Sequence, residues 1–394
     1  MADPERTVLL AAPYFPPDVG GVENYVWHLA RVLRARNGWQ VVVATTARPG
    51  EAPGRGQGPD GVTVHRLRSL ARVSNTPLGT GWRRSLRAIV EAEQVDLVNA
   101  HAPVPLFADA AARACPAVPF VLTYHTGRMR KGQLLPDAVC ALYERTLLAG
   151  TARRAREVVC SSDYVAADLP RLFGGRATTV SPGVDLDRFT SGPVPAEPRI
   201  AFVGSLDRAT SYKGLAELLR TAAVLAADRP DLRVEVVGSG SAAEEYRALA
   251  RQLGIGGQVV FSGRLEGEEL AAAYRRARVL ALPTSYDSFP SVLVEAMACG
   301  RPVVTTPVGG IPSLVTDRVN GLLVPVGDGP ALAGALCSVL DDDALAGALG
   351  AAGRALVSRE LSWDRQCDRT AEVFERALVS GAPARTRRSL PSAR

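Results

Sequence analysis

Short apolar runs alternate with amphipathic stretches from one end of the chain to the other. Runs apolar at consecutive positions suit strands buried on both faces, and the stretches between them carry the recurrence of a helix with one buried face. That alternation predicts βαβ units and parallel sheets, an α/β fold. In the first half it predicts strands at Thr7–Pro13, Gln40–Thr46, Val62–Leu67, Val95–Ala100, Pro119–Tyr124, Glu157–Ser161 and Thr178–Val180. Helices are predicted near Val22–Arg36, Gly81–Glu93, Leu106–Arg113, Leu134–Arg153 and Tyr164–Leu172. The segment Arg48–Gly61, dense in Gly and Pro, reads as a loop.

The segment Asp185–Pro198, with Gly192, Pro193, Pro195 and Pro198, reads as a linker. Beyond it the alternation restarts. Strands are predicted at Arg199–Gly204, Arg233–Gly238, Gln258–Ser262, Val279–Leu282, Pro302–Thr305 and Gly321–Val324. Helices fit Lys213–Ala227, Ala242–Leu253, Glu268–Arg276, Ser291–Ala298, Pro330–Leu340, Ala344–Val357 and Trp363–Val379. Two Rossmann-like halves follow, residues 1–190 and 191–361, with a last helix in 362–380 and a basic tail, 381–394, read as disordered. Ligands of such sheets sit at the carboxyl ends of the strands, and between two domains they sit in the cleft.

Composition agrees: 394 residues suit two domains of roughly 100–200 residues, and 47% apolar with 22% charged is an ordinary globular balance. No run approaches the roughly 20 apolar residues that span a bilayer. The charged start, Met1–Thr7, lacks a signal-peptide pattern, so a cytoplasmic protein is expected. Much of the net charge of +6 lies in the tail, in Arg385, Arg387, Arg388 and Arg394, which leaves the body without the clustered cations of a nucleic-acid binder. A second basic cluster, Arg128, Arg130 and Lys131, precedes an apolar helical stretch that ends in Arg153, Arg154 and Arg156. It reads either as a solvated helix face or as a peripheral contact with the inner face of a membrane. The six cysteines form no C-x-x-C pair and read as small buried hydrophobes, and the four histidines never pair at metal-binding spacing. No metal is expected.

Four places carry chemistry. Gly20-Gly21 with Glu23 stands between the first strand and first helix, where helix N–H groups face a ligand. Gly204 and the loop through Arg208 to Lys213 hold the same position in the second half. Lys213 is one of only two lysines, so its survival in an arginine-rich chain points to charge chemistry on an anionic diphosphate. Asp287-Ser288-Phe289-Pro290-Ser291 leads into a helix that Pro290 is expected to open at its first position and that carries Glu295. Such carboxylates accept paired hydrogen bonds from sugar hydroxyls. His101 and His125 end two neighbouring strands. Asp341-Asp342-Asp343 lies between helices and reads as an exposed turn.

On these residues the chain resembles the retaining family-4 glycosyltransferases of GT-B fold, over about residues 7 to 380. The matching segments are Gly20-Gly21-Val22-Glu23, His101, Ser181-Pro182-Gly183-Val184-Asp185, Lys213-Gly214, Asp287 through Gly300 with Arg301-Pro302-Val303-Val304, and Asn320-Gly321-Leu322-Leu323-Val324. The resemblance implies two Rossmann-like domains facing each other across a cleft, the last helix crossing back to the first. It implies transfer of a hexose-type sugar from a GDP- or UDP-linked donor to an acceptor hydroxyl, with retention and no metal or other cofactor. Carried over by motif, Glu295 binds the ribose, while Asp287 and the backbone of Ser288, Phe289 and Pro290 up to Ser291 hold the donor sugar. Lys213 holds the diphosphate, His101 contacts the sugar, and Gly20, Gly21 and Gly204 approach the donor. His125 and Glu23 lie on the acceptor side, open to a lipid-linked sugar, a polysaccharide or a small natural product. Two positions depart from the family: Asp287 stands where it has Glu, and Ser205 where it has Arg, with Arg208 as substitute. A GT-B-fold nucleotide-sugar epimerase and an inactive nucleotide-sugar-binding subunit are the alternative readings.

Overall fold

The structure, a computed structural model, describes residues 6–379 except Val19, Pro49, Ser74–Asn75 and Arg130–Gln133. The expected tail, and Arg130 and Lys131 of the basic cluster, lie outside the described residues. Among the described residues ten strands precede the linker: β1 (Thr7–Ala11), β2 (Gln40–Thr46), β3 (Gly54–Gln57), β4 (Thr63–Leu67), β5 (Ala71–Val73), β6 (Thr76–Leu78), β7 (Leu97–Ala102), β8 (Phe120–Tyr124), β9 (Glu157–Cys160) and β10 (Ala177–Thr179). Six follow it: β11 (Arg199–Val203), β12 (Arg233–Val237), β13 (Val259–Gly263), β14 (Val279–Leu282), β15 (Val303–Thr305) and β16 (Leu322–Leu323). The helices of the first half are α1 (Gly21–Arg36), α2 (Trp82–Ala92), α3 (Phe107–Ala114), α4 (Leu134–Tyr143), α5 (Ala149–Arg154), α6 (Asp163–Asp168) and α7 (Pro170–Phe173). Those of the second are α8 (Leu215–Ala226), α9 (Ala243–Gln252), α10 (Gly267–Arg276), α11 (Ser291–Ala298), α12 (Gly329–Asp341), α13 (Asp343–Glu360) and α14 (Trp363–Val379).

The first sheet has the order β10-β9-β8-β7-β1-β2-β4-β3, parallel except for β3, and the second the parallel order β13-β12-β11-β14-β15-β16. Strand order reverses between β1 and β7 in one sheet and between β11 and β14 in the other. At such a reversal the connections leave toward opposite faces, and a crevice opens at the carboxyl ends of the strands. Apolar runs such as Val41-Val42-Val43 and Val279-Leu280-Ala281-Leu282 are buried throughout, as helices on both faces require.

The differences from expectation have local causes. Arg48–Gly61 is not all loop, since Gly54–Gln57 pairs antiparallel with β4 as an edge strand whose side chains are all exposed. A strand that buries nothing leaves no hydrophobic signal. The hairpin β5–β6 escapes notice because its strands are three residues each and too short to show an alternation. The helix expected at Tyr164–Leu172 breaks before Pro170, which opens α7. The long helix at Leu134–Arg153 runs through a π turn at Glu144–Leu148. Pro290 is the N-cap of α11 rather than its first residue.

The linker is tied down. Arg301 donates to the carbonyls of Pro193 and Gly192, Arg278 to that of Pro195, and Arg354 to that of Phe189. Proline-rich backbone carries carbonyls without matching N–H groups, and these arginines satisfy them. Beside it the chain crosses back: Val184 donates to the Leu361 carbonyl at 2.8 Å, and Trp363 to the Val184 carbonyl at 3.2 Å. A Cβ on Gly183 would lie 2.6 Å from Trp363 Cα, so only glycine permits this approach. Helix α14 then packs on α1, β8 and β9 through Trp363, Cys367, Thr370, Ala371, Phe374 and Ala377, spaced as one helix face. Burying a ring such as Phe374 contributes about 2–3 kcal/mol.

Candidate functional site

The loops leaving β11 and β14 meet at the reversal point of the second sheet. After Gly204 a 3-10 turn, Arg208–Lys213, ends at Gly214, whose φ of +83° and close approach to the Pro283 carbonyl exclude a side chain. That turn returns Lys213 along Gly204, and its Nζ lies 3.5 Å from Asp287 Oδ2. Asp287 is nearly enclosed; burial pushes its carboxyl up, and the Lys213 charge opposes the shift. Its other oxygen accepts from the Phe289 N–H at 3.2 Å. Gly309 and Gly310, after β15, press against the carbonyls of Asp287 and Ser288, and the Gly310 N–H donates to the Asp287 carbonyl at 2.9 Å.

Glu295 lies one helical segment further, on α11, half-buried. Its Oε2 accepts a 2.7 Å hydrogen bond from the buried Tyr274 hydroxyl of α10. Burial pushes its carboxyl up to about 7, against the Tyr274 hydrogen bond and the charge of Arg188 from the linker. Arg208 is engaged elsewhere: its guanidinium is 69% exposed and pairs with Glu245 on α9. The structure therefore brings Lys213, Asp287 and the Ser288–Ser291 backbone together without Arg208. The reason is local: a surface arginine at the start of a 3-10 turn meets a surface glutamate before it meets the cleft.

On the first sheet, Gly20 is the N-cap of α1 in extended backbone, and Gly21 opens the helix with free space around it. Glu23 at N3 is buried and folds its carboxyl back toward Gly20, as in a capping box; burial raises its proton affinity. His101 is the penultimate residue of β7, and His125 follows β8. His101 Nδ1 and His125 Nε2 are 2.9 Å apart with the rings stacked, so one nitrogen donates and the other accepts. His101 is 1% exposed, whereas His125 is half-buried. Of the two residues His125 is the less buried. Burial holds His125 at about 4 and His101 well below the ordinary histidine value, so both are neutral near pH 7. Tyr25 of α1 meets both rings edge-on and also meets Trp363, which stacks on His28.

The two halves touch at this point. Ser162, the N-cap of α6, donates its hydroxyl to the Ser288 carbonyl at 2.8 Å, and Tyr164 meets Tyr286 edge-on. Sequence reading passed over Ser162, Tyr274, Gly309 and Gly310. The pair Gly309-Gly310 had a signal, a double glycine after a strand like that of Gly20-Gly21; Ser162 and Tyr274 had none. Asp341, Asp342 and Asp343 form the turn between α12 and α13, where Asp342 caps α13 and its neighbours pair with Arg229 and Arg278. Among the described residues no cluster of metal-ligating side chains occurs, and no helix is long and apolar enough to cross a membrane.

Comparison with known proteins places this geometry. The family described as "Glycosyltransferase Family 4" matches residues 19–188, and that described as "Glycosyl transferases group 1" matches residues 185–356. The chain is 33% identical to a D-inositol 3-phosphate glycosyltransferase of Xylanimonas cellulosilytica, over 93% of this chain and 94% of that protein. It is 33% identical to the protein of that name from Saccharomonospora viridis, over 92% and 90%. Among solved structures it superposes on sucrose-phosphate synthase from Thermosynechococcus elongatus with a TM-score of 0.75 and 25% identity, covering 96% of this chain and 100% of that one. Anabaena HepE in complex with UDP-glucose shares the fold, with a TM-score of 0.71 at 18% identity, over 94% of this chain and 99% of that one.

Proposed function

The chain belongs to the family-4 glycosyltransferases of GT-B fold, and from that membership we propose that it moves a hexose-type sugar from a nucleoside-diphosphate donor to an acceptor hydroxyl, with retention and without a metal. The observation that carries the reading is the Lys213–Asp287 pair, set where the order of the second sheet reverses. In the proposed roles Glu295 accepts from the ribose hydroxyls. Asp287 and the backbone of Ser288–Pro290 hold the sugar, His125 touches it, and His101 orients His125. As the sugar–phosphate bond opens, negative charge builds on the leaving diphosphate. A fixed lysine charge and helix N–H groups stabilise that charge as it develops, a contribution of about 3–4 kcal/mol for a well-placed donor. A diphosphate reaching Gly20-Gly21 displaces the Glu23 carboxyl from the mouth of α1.

The named relatives act on D-inositol 3-phosphate, and an anionic acceptor suits the first sheet here. Arg48, Arg66 and Arg72 gather round Tyr14–Asp18, bonding Asp18, the Pro16 carbonyl and the Tyr14 hydroxyl. The test begins with thermal shift against GDP- and UDP-sugars, because selective stabilisation follows affinity. The stabilising donor is then incubated with inositol phosphate and other hydroxyl acceptors, and the anomeric configuration of the product is read by NMR. Transfer should proceed at its full rate in excess chelator and keep the donor's configuration. Inverted product, or a rate that collapses in chelator and returns with Mg²⁺, overturns the corresponding part. Turnover of donor without any acceptor would favour an epimerase.

A further inference from the structure

We propose that the outer face of α4, carrying Leu135, Val139 and Leu142 with Arg145 and Arg153 beyond them, docks the protein onto an anionic lipid bilayer. The three apolar side chains are 81%, 68% and 63% exposed and recur at i, i+4 and i+7, one face of the helix. Of the side chains described in this helix, from Leu135 to Tyr143, only Tyr143 is buried, although Asp137 is the sole charge among them. A soluble helix this apolar ordinarily turns most of its surface inward; here the surface faces out. The helix run continues through the π turn into α5, where Arg145 and Arg153 are exposed and carry no hydrogen bond or ion pair among the described residues. The acids nearby are drawn in: Asp137 is half-buried, and Glu144 is half-buried and accepts from the Met129 N–H at 2.8 Å.

An apolar stripe continued by exposed cations fits a surface with acyl chains beneath anionic headgroups. A second copy fits less well. Two copies meeting along one short helix would bury far less than the roughly 800 Å² per partner of a stable interface, and each would set its arginines against those of the other. The chain's own last fifteen residues, Ser380–Arg394, hold four arginines and no acid, so they do not complement this face. Residues 126–129 join His125 to the segment that Glu144 holds, so a bilayer at α4 lies on the side of the first sheet. The proposal does not depend on the sugar-transfer reading, because its test reads lipid binding alone.

The full chain is sedimented with vesicles of phosphatidylcholine and with vesicles of equimolar phosphatidylcholine and phosphatidylglycerol. The protein should sediment with the mixed vesicles only, and the bound fraction should fall as salt rises. The triple variant Leu135→Ser, Val139→Ser, Leu142→Ser should keep the wild-type Tm, since these positions are exposed, and bind at least about tenfold more weakly. The pair Arg145→Glu and Arg153→Glu should lose about tenfold or more on the mixed vesicles. Three results overturn the proposal: no sedimentation with either vesicle, equal sedimentation of wild type and both variants, or a wild-type dimer that the serine variant converts to monomer.

Discussion

Lys213 and Asp287 lie 74 positions apart in sequence and 3.5 Å apart in space, and each depends on the other. Lys213→Ala should cut kcat about a hundredfold or more, because the lysine charge matters most as charge moves onto the leaving diphosphate. The melting temperature should shift little, since the freed Asp287 carboxyl, already pushed up by burial, can take a proton. An alanine variant with native turnover sinks the phosphate role. Glu295 makes a pH signature. Its folded carboxyl, at about 7, binds a proton more tightly than the ordinary carboxyl near 4.5. It therefore contributes stability that is full below about 4.5 and lost as pH rises through about 7. Glu295→Gln should flatten that part of the Tm-against-pH curve and raise donor KM about tenfold with little change in kcat. Parallel Tm curves for the two proteins would refute the assignment. At this scale the sequence identified residue types and strand-end positions. It missed Tyr274, because a tyrosine in an amphipathic helix looks like any core residue until Glu295 is seen beside its hydroxyl.

Elements place the donor loop through close backbone contacts. Gly309, with φ of +56°, faces the Asp287 carbonyl so closely that a Cβ would overlap it. Gly309→Ala should cost about 1–3 kcal/mol from backbone strain, with the overlap in addition. Because the atom displaced belongs to Asp287, donor KM should rise as well. Gly327, with φ of +75° and nothing within 4 Å of a Cβ, is the control. Gly327→Ala should lose similar backbone stability and leave KM unchanged. Kinetics and melting curves on both variants separate strain from loop position; equal KM values would show that the loop does not need Gly309. Element boundaries read from sequence were close where burial is deep, as at Val279–Leu282, Ser291–Ala298 and Trp363–Val379, which match the observed spans. They failed at β3, β5 and β6, because edge and hairpin strands held by backbone hydrogen bonds leave no apolar pattern.

Across the whole molecule, the ring cluster that α14 closes sets the response to acid. His28 is held at about 3 and His125 at about 4, with His101 also well below the ordinary 6.5. Unfolded histidines take up protons below about pH 6.5 and these do not, so stability is lost as pH falls from there toward 4. At pH 5 His28 and His125 each cost about 2 kcal/mol, so the two outweigh the opposite contribution of Glu295. The Tm should therefore rise between about pH 5 and pH 7, and a flat or falling curve contradicts the cluster's neutrality. The sequence by itself determined the alternation of strand and helix, hence the two parallel-sheet halves, the last helix, and the loops where glycine, lysine and acid residues collect. Those follow from periodicity and residue type, which are local properties. Only the tertiary structure decided that Lys213 meets Asp287 while Arg208 turns to Glu245, that His101 and His125 stack against each other, and that Ser162 bonds Ser288 across the halves. Each of those choices depends on which surfaces the strand order brings together, and that order is not written at any one position along the chain.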